Sequence, residues 1–292
     1  MPMNHKLRSL YRAALPLMIL ASCAAFPAAG EENRAQSPQS LRLYVFDCGN
    51  LNMPDLGRYH LTKEEVATNY MSVPCFLVVH PRGKLMWDVG VIPDHMLRPD
   101  RAPVTLGYAT ATTPLKAQLA AIGYKTREIT YLALSHFHYD HVANANDFAA
   151  ATWLVRQPER DIMFADPPSD RTVPANYSAL KLSKTVILKG GDYDVFGDGT
   201  VVIKPAPGHS PAHQVLFLKL RKTGPVLLSG DLYHYPEERK LNRFPTTEFN
   251  KDQTAASRVA IEEFLKKSGA QLWIQHDFTG NAKLKKAPAY YE

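Results

Sequence analysis

The chain has 292 residues, of which 45% are hydrophobic and 21% charged, with 34 Lys and Arg against 28 Asp and Glu. This balance is typical of a globular protein and excludes a largely disordered chain. The formal charge of +6 is spread along the sequence rather than gathered in the dense basic patch of a nucleic-acid-binding protein, so we expect no nucleic-acid partner.

The first 30 residues have the pattern of a secretory signal peptide. Basic residues precede a short apolar run at 13–20, and small residues at 28–30 come directly before two acidic ones. The apolar run is too short to span a bilayer, so we expect no membrane span. Residues 20–23 (Leu-Ala-Ser-Cys) also resemble the lipobox of bacterial lipoproteins, which would leave Cys23 lipidated. Both alternatives predict an exported protein, either periplasmic or secreted.

Downstream of this segment, residues 31–40 are expected to form a disordered lead-in to a single domain over 41–292. Three cysteines are too few for a scaffold built from disulfides. Export would leave Cys48 and Cys75 in an oxidising compartment, where they either pair or remain two separate buried thiols. A pairing would stabilise the fold by ~3 kcal/mol by restricting the unfolded chain.

Short apolar runs bounded by turn residues are typical of buried strands. They occur at 41–46, 73–80, 84–89, 129–134, 201–204, 214–220, 225–229 and 272–275. Pro-Arg-Gly at 81–83 predicts a hairpin between the second and third runs. Helices are predicted after a Thr113 cap, ending at Gly123, and over 254–267. The mixture predicts an α/β fold of mixed sheets covered by helices.

The densest chemical signal follows the predicted strand at 129–134. Residues 135–141 read Ser-His-Phe-His-Tyr-Asp-His, which places four potential metal ligands within six positions. In extended backbone, His136 and His138 leave the same side of the chain and can converge on one cation. Asp140 and His141 follow where the chain turns and are free to bind a second cation. The pattern favours a metal site over a histidine-rich surface loop.

This motif is similar to that of the metallo-β-lactamase superfamily, and the surrounding elements occur in the superfamily's order. Residues 85–90 (Leu-Met-Trp-Asp-Val-Gly) resemble its Asp-x-Gly strand, 206–210 (Ala-Pro-Gly-His-Ser) its Pro-Gly-His element, and 229–231 (Ser-Gly-Asp) its Gly-Asp element. His276 resembles the superfamily's final His. The resemblance covers about residues 41–280. It implies an αββα sandwich, two mixed β-sheets flanked by helices, with a dimetal site at the sheet edge.

Carried over residue by residue, the resemblance implies seven ligands for two divalent ions, zinc first among them. One ion would be bound by His136, His138 and His209, the other by Asp140, His141 and His276, and both by Asp231. Nitrogen and oxygen donors suit zinc without excluding manganese, cobalt or iron. Asp88 would be either an outer partner of a ligand histidine or a simple turn cap before Gly90.

Within the superfamily, the chain most resembles the N-acyl homoserine lactone lactonases, which are quorum-quenching enzymes. β-Lactamases usually lack an equivalent of the bridging Asp231. Glyoxalase II carries a large helical domain after the final His, whereas 16 residues follow His276 here. Residues 43–46, 80–83 and 275–277 resemble segments of the lactonase group.

The resemblance implies that a hydroxide shared by the two metal ions attacks the lactone carbonyl, and that Asp140 protonates the leaving alkoxide. The expected partner is a small-molecule acyl homoserine lactone. The alternatives are a secreted organophosphate or aryl-ester hydrolase of the same fold and a non-catalytic, metal-dependent binding protein. The oligomeric state stays open, a homodimer included.

One position departs from the lactonase pattern. Many of these enzymes place a Tyr three residues after the bridging Asp, where its hydroxyl binds the substrate carbonyl. This chain has His234 there, between Tyr233 and Tyr235. We expect His234 to polarise the carbonyl, or one of the two tyrosines to bind the substrate in its place. The acyl pocket is expected to draw on residues in irregular segments, namely Leu51, Met53, Met96 or Leu97.

Overall fold

The computed structural model describes residues 40–292 of the chain. The predicted signal peptide, the lipobox and nearly all of the predicted lead-in lie outside the described residues. Within residues 40–292, no helix combines the length and the apolar character that a bilayer crossing requires.

The larger sheet is built from strands within residues 42–187, with one short C-terminal strand added. Its antiparallel centre consists of β1 (Arg42–Asn52), β2 (Tyr70–His80) and β3 (Gly83–Trp87), and the predicted hairpin joins β2 to β3. The other members are β4 (Val104–Leu106), β5 (Ala109–Ala111), β6 (Tyr131–Ala133), β7 (Thr152–Val155), β8 (Thr185–Ile187) and, near the C-terminus, Tyr290–Tyr291. The strand order is β4–β5–β1–β2–β3–β6–β7–β8, with β3, β6, β7 and β8 parallel, and Tyr290–Tyr291 pairs with β1.

The smaller sheet has five strands and is also mixed. It contains β9 (Tyr193–Asp194), β10 (Val201–Pro205), β11 (Gln214–Leu220), β12 (Gly224–Leu228) and β13 (Gln271–Trp273). Their order is β13–β12–β11–β10–β9, and only the β12–β13 pair is parallel. As a result β10, β12 and β13 all end at the same edge of the sheet.

The helices are α1 (Leu115–Ala121), α2 (Tyr139–Val142), α3 (Gln157–Met163), α4 (Pro236–Leu241), α5 (Lys251–Ser268) and α6 (Phe278–Ala282). The cap of α1 differs from the predicted Thr113. The carboxylate of Asp94 accepts the backbone N–H groups of Leu115 and Lys116, so the cap comes from a distant segment. Helix α5 begins three residues earlier than predicted because the side chain of Asn250 caps it.

Three apolar layers hold the sheets and helices together. In β1, Leu43 and Val45 belong to the cluster between the two sheets, whereas Phe46 belongs to the cluster between the larger sheet and its helices. Ile261 and Leu265 of α5 pack against the outer face of the smaller sheet. This alternation follows from the two-residue period of a strand with both faces buried. The predicted αββα sandwich is confirmed.

Cys48 on β1 and Cys75 on β2 form a disulfide, so the structure selects pairing from the two alternatives that the sequence left open. The cross-link joins positions 27 apart in sequence and closes the segment that contains the short 3-10 helix Leu56–Tyr59. By restricting the unfolded chain, a loop of this length contributes about 3 kcal/mol.

The strands that the sequence missed are short or interrupted. Strand β1 continues beyond the predicted end at residue 46, because a register shift between Asp47 and Asn50 lets polar residues remain in the strand. Strands β4, β5, β7 and β8 have only three or four residues each, too few to show a period.

Candidate metal centre

The seven predicted ligand residues meet at one edge of the sandwich. They lie on four segments, each of which follows a strand. After β6 come His136, His138, Asp140 and His141, after β10 comes His209, after β12 comes Asp231, and after β13 comes His276. Because β10, β12 and β13 end at the same edge, side chains distant in sequence are brought together.

Asp231 lies at the centre of the cluster. Its Oδ1 atom is 3.1 Å from Nε2 of His141 and 3.0 Å from Nε2 of His276. Its Oδ2 atom is 3.3 Å from Nε2 of His209 and 3.5 Å from Nε2 of His136. The two carboxylate oxygens therefore face two different pairs of imidazoles, as the bridging role of Asp231 requires.

Of the remaining two predicted ligands, His138 lies near the imidazoles that face Oδ2 of Asp231, and Asp140 lies near an imidazole that faces Oδ1. Nδ1 of His138 is 2.8 Å from Nε2 of His136 and 3.0 Å from Nε2 of His209. Oδ2 of Asp140 is 3.4 Å from Nε2 of His276. The structure thus brings together the two groups that the resemblance implied, His136, His138, His209 and Asp231 in one and Asp140, His141 and His276 in the other.

The donor atoms of this cluster fit divalent cations. Nε2 of His141 and Oδ1 of Asp231 are buried and 3.1 Å apart, but neither makes a hydrogen bond with good geometry within residues 40–292. Nitrogen atoms of three imidazoles also face one another at hydrogen-bond distance, although neutral rings can supply only one proton each. Cations bound to the two groups would satisfy these lone pairs, and nitrogen and oxygen donors are the set that zinc and related ions prefer.

The carboxylate of Asp88 contacts the ring nitrogen of His141 that faces away from the cluster. Its Oδ2 atom is 2.9 Å from Nδ1 of His141 and accepts a 2.7 Å hydrogen bond from the side-chain amide of Gln275. Its Oδ1 atom accepts the backbone N–H of Ser135 at 2.6 Å. Asp88 adopts a left-handed backbone conformation with φ of 54°, a strained state that surrounding contacts must maintain. The structure therefore supports the outer-partner role over the turn cap.

His276 is oriented by a backbone carbonyl. Its Nδ1 atom lies 2.7 Å from the carbonyl oxygen of Ser72, which can only accept a hydrogen bond. The proton therefore belongs on Nδ1, and Nε2 presents its lone pair to the Asp231 side of the cluster.

The sequence passed over His213, which positions Asp231. The backbone N–H of Asp231 donates to Nε2 of His213 at 2.9 Å, and Nδ1 of His213 lies 3.0 Å from the carbonyl oxygen of Ala206. Burial lowers the pKa of His213 to about 3, so the ring stays neutral and keeps its acceptor nitrogen. Gly230 makes room for it, since an added Cβ would lie 2.5 Å from Nε2 of His213.

The loop that carries His209 packs tightly against the start of α5. A Cβ added at Gly208 would lie 2.1 Å from the backbone nitrogen of Thr254, closer than atoms can approach. Asn250 donates its backbone N–H to the carbonyl of Gly208 at 2.8 Å. Oε1 of Glu248 lies 3.6 Å from Nδ1 of His209, on the side of the ring away from the cluster.

Glu159, on α3, joins two of the ligand-bearing loops and was also missed by the sequence. Its buried carboxylate accepts the backbone N–H of Phe137 at 2.8 Å, the hydroxyl of Ser210 at 2.9 Å and the backbone N–H of Ala212 at 3.0 Å. Burial raises the pKa of Glu159 to about 7, although these three donors oppose the shift. The segment with His136 and the loop with His209 are thereby fixed to one acceptor.

Burial and charge act in opposite directions on the clustered groups. Burial lowers the pKa values of His136 and His138 well below the usual range. Burial also lowers the pKa of His141, but the surrounding carboxylates, Asp231 first among them, outweigh it and hold that pKa well above its usual value. For Asp231, burial raises the pKa, but the imidazoles around it outweigh burial and hold it well below its usual range. The carboxylate of Asp231 is therefore charged.

A pocket of about 340 Å³ opens onto the cluster, and His234 lies in its wall. Nε2 of His234 is 3.3 Å from Oδ2 of Asp231, and its Nδ1 is 3.3 Å from Oε1 of Glu238. Glu238 is fully buried and accepts a 2.9 Å hydrogen bond from Arg258. Burial lowers the pKa of His234, but the carboxylates of Glu238 and Asp231 outweigh it and raise that pKa to about 10.

The structure turns Tyr233 and Tyr235, which the sequence offers as substrate-binding residues, away from the pocket. The hydroxyl of Tyr233 donates to Glu262 at 3.0 Å, that of Tyr235 donates to the carbonyl of Asn69 at 3.3 Å, and neither residue lines the pocket. Both have extended backbone, so their side chains leave the side opposite to His234.

Tyrosines from other segments line the pocket instead. They are Tyr59, Tyr108 and Tyr139. The predicted acyl-pocket residues divide: Leu51 and Met53 line it, whereas Met96 and Leu97 lie elsewhere. The pocket therefore combines an apolar and aromatic wall with the cluster of ligand residues at its base.

A family model described as the metallo-beta-lactamase superfamily matches residues 69–271, which is more than half of the chain. The chain belongs to the metallo-beta-lactamase superfamily. Two proteins named N-acyl homoserine lactonase AttM are similar to it. The one from Azorhizobium caulinodans is 26% identical over 263 residues, covering 86% of this chain and 99% of the relative. The one from Rhizobium radiobacter is 28% identical over 269 residues, covering 86% and 98%.

Two solved structures are similar to this chain in fold. The crystal structure of a quorum-quenching N-acyl homoserine lactone hydrolase matches with a TM-score of 0.72 at 22% identity, covering 87% of this chain and 99% of that chain. The structure of AidC, a dizinc quorum-quenching lactonase, matches with a TM-score of 0.61 at 19% identity, covering 86% and 94%. These likenesses establish the sandwich architecture independently of the sequence motifs.

We predict that Glu159→Gln destabilises the protein by about 2 kcal/mol, because the amide turns a donor toward groups that need an acceptor. Chemical denaturation at neutral pH measures the free energy of unfolding. Glu263→Gln, at an exposed position on α5, is the control and is expected to change it by less than ~0.5 kcal/mol. Equal stability of the two variants would contradict the role of Glu159 as a link between loops.

Proposed function

We propose that this protein is a metal-dependent hydrolase that opens the lactone ring of N-acyl homoserine lactones. The observation that carries the proposal is the division of two groups of candidate ligands over the two carboxylate oxygens of Asp231, at the base of a pocket whose wall includes Leu51 and Met53. Curated relatives that match this chain over nearly their whole length are named N-acyl homoserine lactonases, which supports the substrate class.

We further propose that the centre holds two divalent ions, with zinc the foremost candidate. One would be bound by the group that contains His209 and the other by the group that contains His276, with Asp231 shared. When bound, such ions acidify water to give a nucleophile at neutral pH and polarise a carbonyl oxygen.

The chain's own residues supply proton transfer and orientation. Asp140 is buried but lines the pocket, where it can accept a proton from the attacking water and pass it to the alkoxide of the opened ring. Water is thereby added across the acyl C–O bond, and a hydroxy acid leaves. His234 is held by Glu238 with Nε2 toward the cluster, where it can polarise the lactone carbonyl. The apolar wall of Leu51 and Met53 suits an acyl chain.

We propose that the protein is exported, either as a soluble periplasmic or secreted enzyme or as a lipoprotein modified at Cys23. The signal-peptide pattern of residues 1–30 supports export, and so does the disulfide between Cys48 and Cys75, because such bonds persist in oxidising compartments.

Elemental analysis of purified protein should give about two transition-metal ions per chain, and a strong chelator should abolish hydrolysis. Asp231→Ala should lose one ion preferentially, because a shared carboxylate holds both cations and offsets their mutual repulsion. Full activity in a metal-free preparation would refute the proposed chemistry.

A panel of acyl homoserine lactones, nitrocefin, paraoxon and S-lactoylglutathione tests the substrate class. We expect kcat/KM for the lactones to exceed that for nitrocefin and S-lactoylglutathione by at least ~100-fold, roughly 2.7 kcal/mol of transition-state preference. If paraoxon is turned over faster than every lactone, the organophosphate hydrolase alternative replaces the lactonase. No turnover of any panel member would leave the binding-protein alternative.

His234→Ala should lower lactonase kcat ~10-fold or more, the usual cost of losing one carbonyl donor. The exposed His95 offers a control, and His95→Ala should leave kcat within about twofold of the original. An unchanged kcat in His234→Ala would assign carbonyl polarisation to other groups.

Mass spectrometry of protein from the native host tests export. The mature chain should begin near Glu31 or carry a lipid on Cys23. An intact Met1 would be incompatible with both.

A further inference from the structure

Tyr59 is a buried tyrosine in the wall of the pocket that the mechanism above does not use. It ends the 3-10 helix Leu56–Tyr59, in the segment that the disulfide closes. The residue is 7% exposed and lines the pocket. Within residues 40–292 its hydroxyl has no hydrogen-bond partner. The ring is buried, but the hydroxyl is accessible from the pocket, where it is free to donate to an acceptor that arrives with a ligand.

The segment around Tyr59 is fixed to its surroundings. The side chain of Asp55 caps the 3-10 helix by accepting the backbone N–H of Gly57. The carbonyl of Arg58 accepts the backbone N–H of Thr246 at 2.7 Å, and Nδ1 of His60 lies 2.7 Å from the carbonyl of Phe244. Tyr59 is therefore held in position before any ligand binds, which is what an effective donor in an active site needs.

The ring of Tyr59 lies against His234, with 5.1 Å between the ring centroids. Both ring nitrogens of His234 already face carboxylates, so a substrate oxygen must compete with Asp231 for its proton. No group of the described chain competes for the proton of Tyr59. Burial, followed by the neighbouring Tyr235 and Glu238, raises the pKa of Tyr59, so the phenol stays protonated. It is a neutral donor adjacent to the proposed site of reaction.

We propose that Tyr59 is a further catalytic residue, whose hydroxyl donates a hydrogen bond to the carbonyl oxygen of the substrate in this pocket. The inference rests on the proposed function, because it needs a carbonyl substrate. It places the phenol on the loop between β1 and β2, a different segment from the one that carries His234.

The test compares Tyr59→Phe with Tyr235→Phe in the full metal-loaded enzyme. The two rings are neighbours, with centroids 5.2 Å apart, but the hydroxyl of Tyr235 bonds the carbonyl of Asn69 outside the pocket. Tyr59→Phe should lower kcat about 10-fold while KM changes less than about threefold, since the bond strengthens as charge develops on the oxygen. Metal content and melting temperature should be unchanged, because no bond within the protein is lost. Tyr235→Phe should lower the melting temperature and keep kcat.

An unchanged kcat in Tyr59→Phe would overturn the proposal. So would an equal fall of kcat in both variants, because that result would trace the effect to ring packing. Failure of the proposed function is a separate result, namely a wild-type enzyme that opens no lactone. If that enzyme instead hydrolyses another ester, the same two variants test Tyr59 on that carbonyl.

Discussion

Asp231 keeps a charged carboxylate away from water, with one oxygen 3.0–3.1 Å from two imidazoles and the other 3.3–3.5 Å from two more. Burying a carboxylate is expensive unless opposite charge and hydrogen bonds compensate for the lost hydration. Here the compensation has to come from several loops at once, so the position of each loop is constrained by the same charge. The arrangement of the sheet edge follows from this requirement.

Three buried carboxylates, those of Asp88, Glu159 and Glu238, hold these segments in place by accepting hydrogen bonds from them. Asp88 binds the segment after β6 and the start of the segment after β13, through Ser135 and Gln275. Glu159 binds the segment after β6 to the loop after β10. Glu238 holds the segment after β12. None of these carboxylates reaches the pocket, yet together they determine where the ligands lie.

The sequence predicts the sandwich, and it picks out the seven side chains that the structure brings together, because both depend on local patterns. The cluster at 135–141 is contiguous, and the other ligands sit in short motifs. Glu159 and His213 were missed because their roles arise only when distant segments meet, and no motif marks them. Proximity in sequence to His234 suggests that Tyr233 and Tyr235 face the substrate, but extended backbone sends neighbouring side chains to opposite sides.

The close packing at Gly208 and Gly230 has a consequence for laboratory evolution of this enzyme. Any side chain at Gly208 would collide with the backbone of Thr254, and any at Gly230 would collide with His213. In a random library that includes these two codons, most variants changed at Gly208 or Gly230 will therefore fail to form the centre. Libraries confined to exposed positions that line the pocket, such as Tyr108, explore substrate range on an intact scaffold.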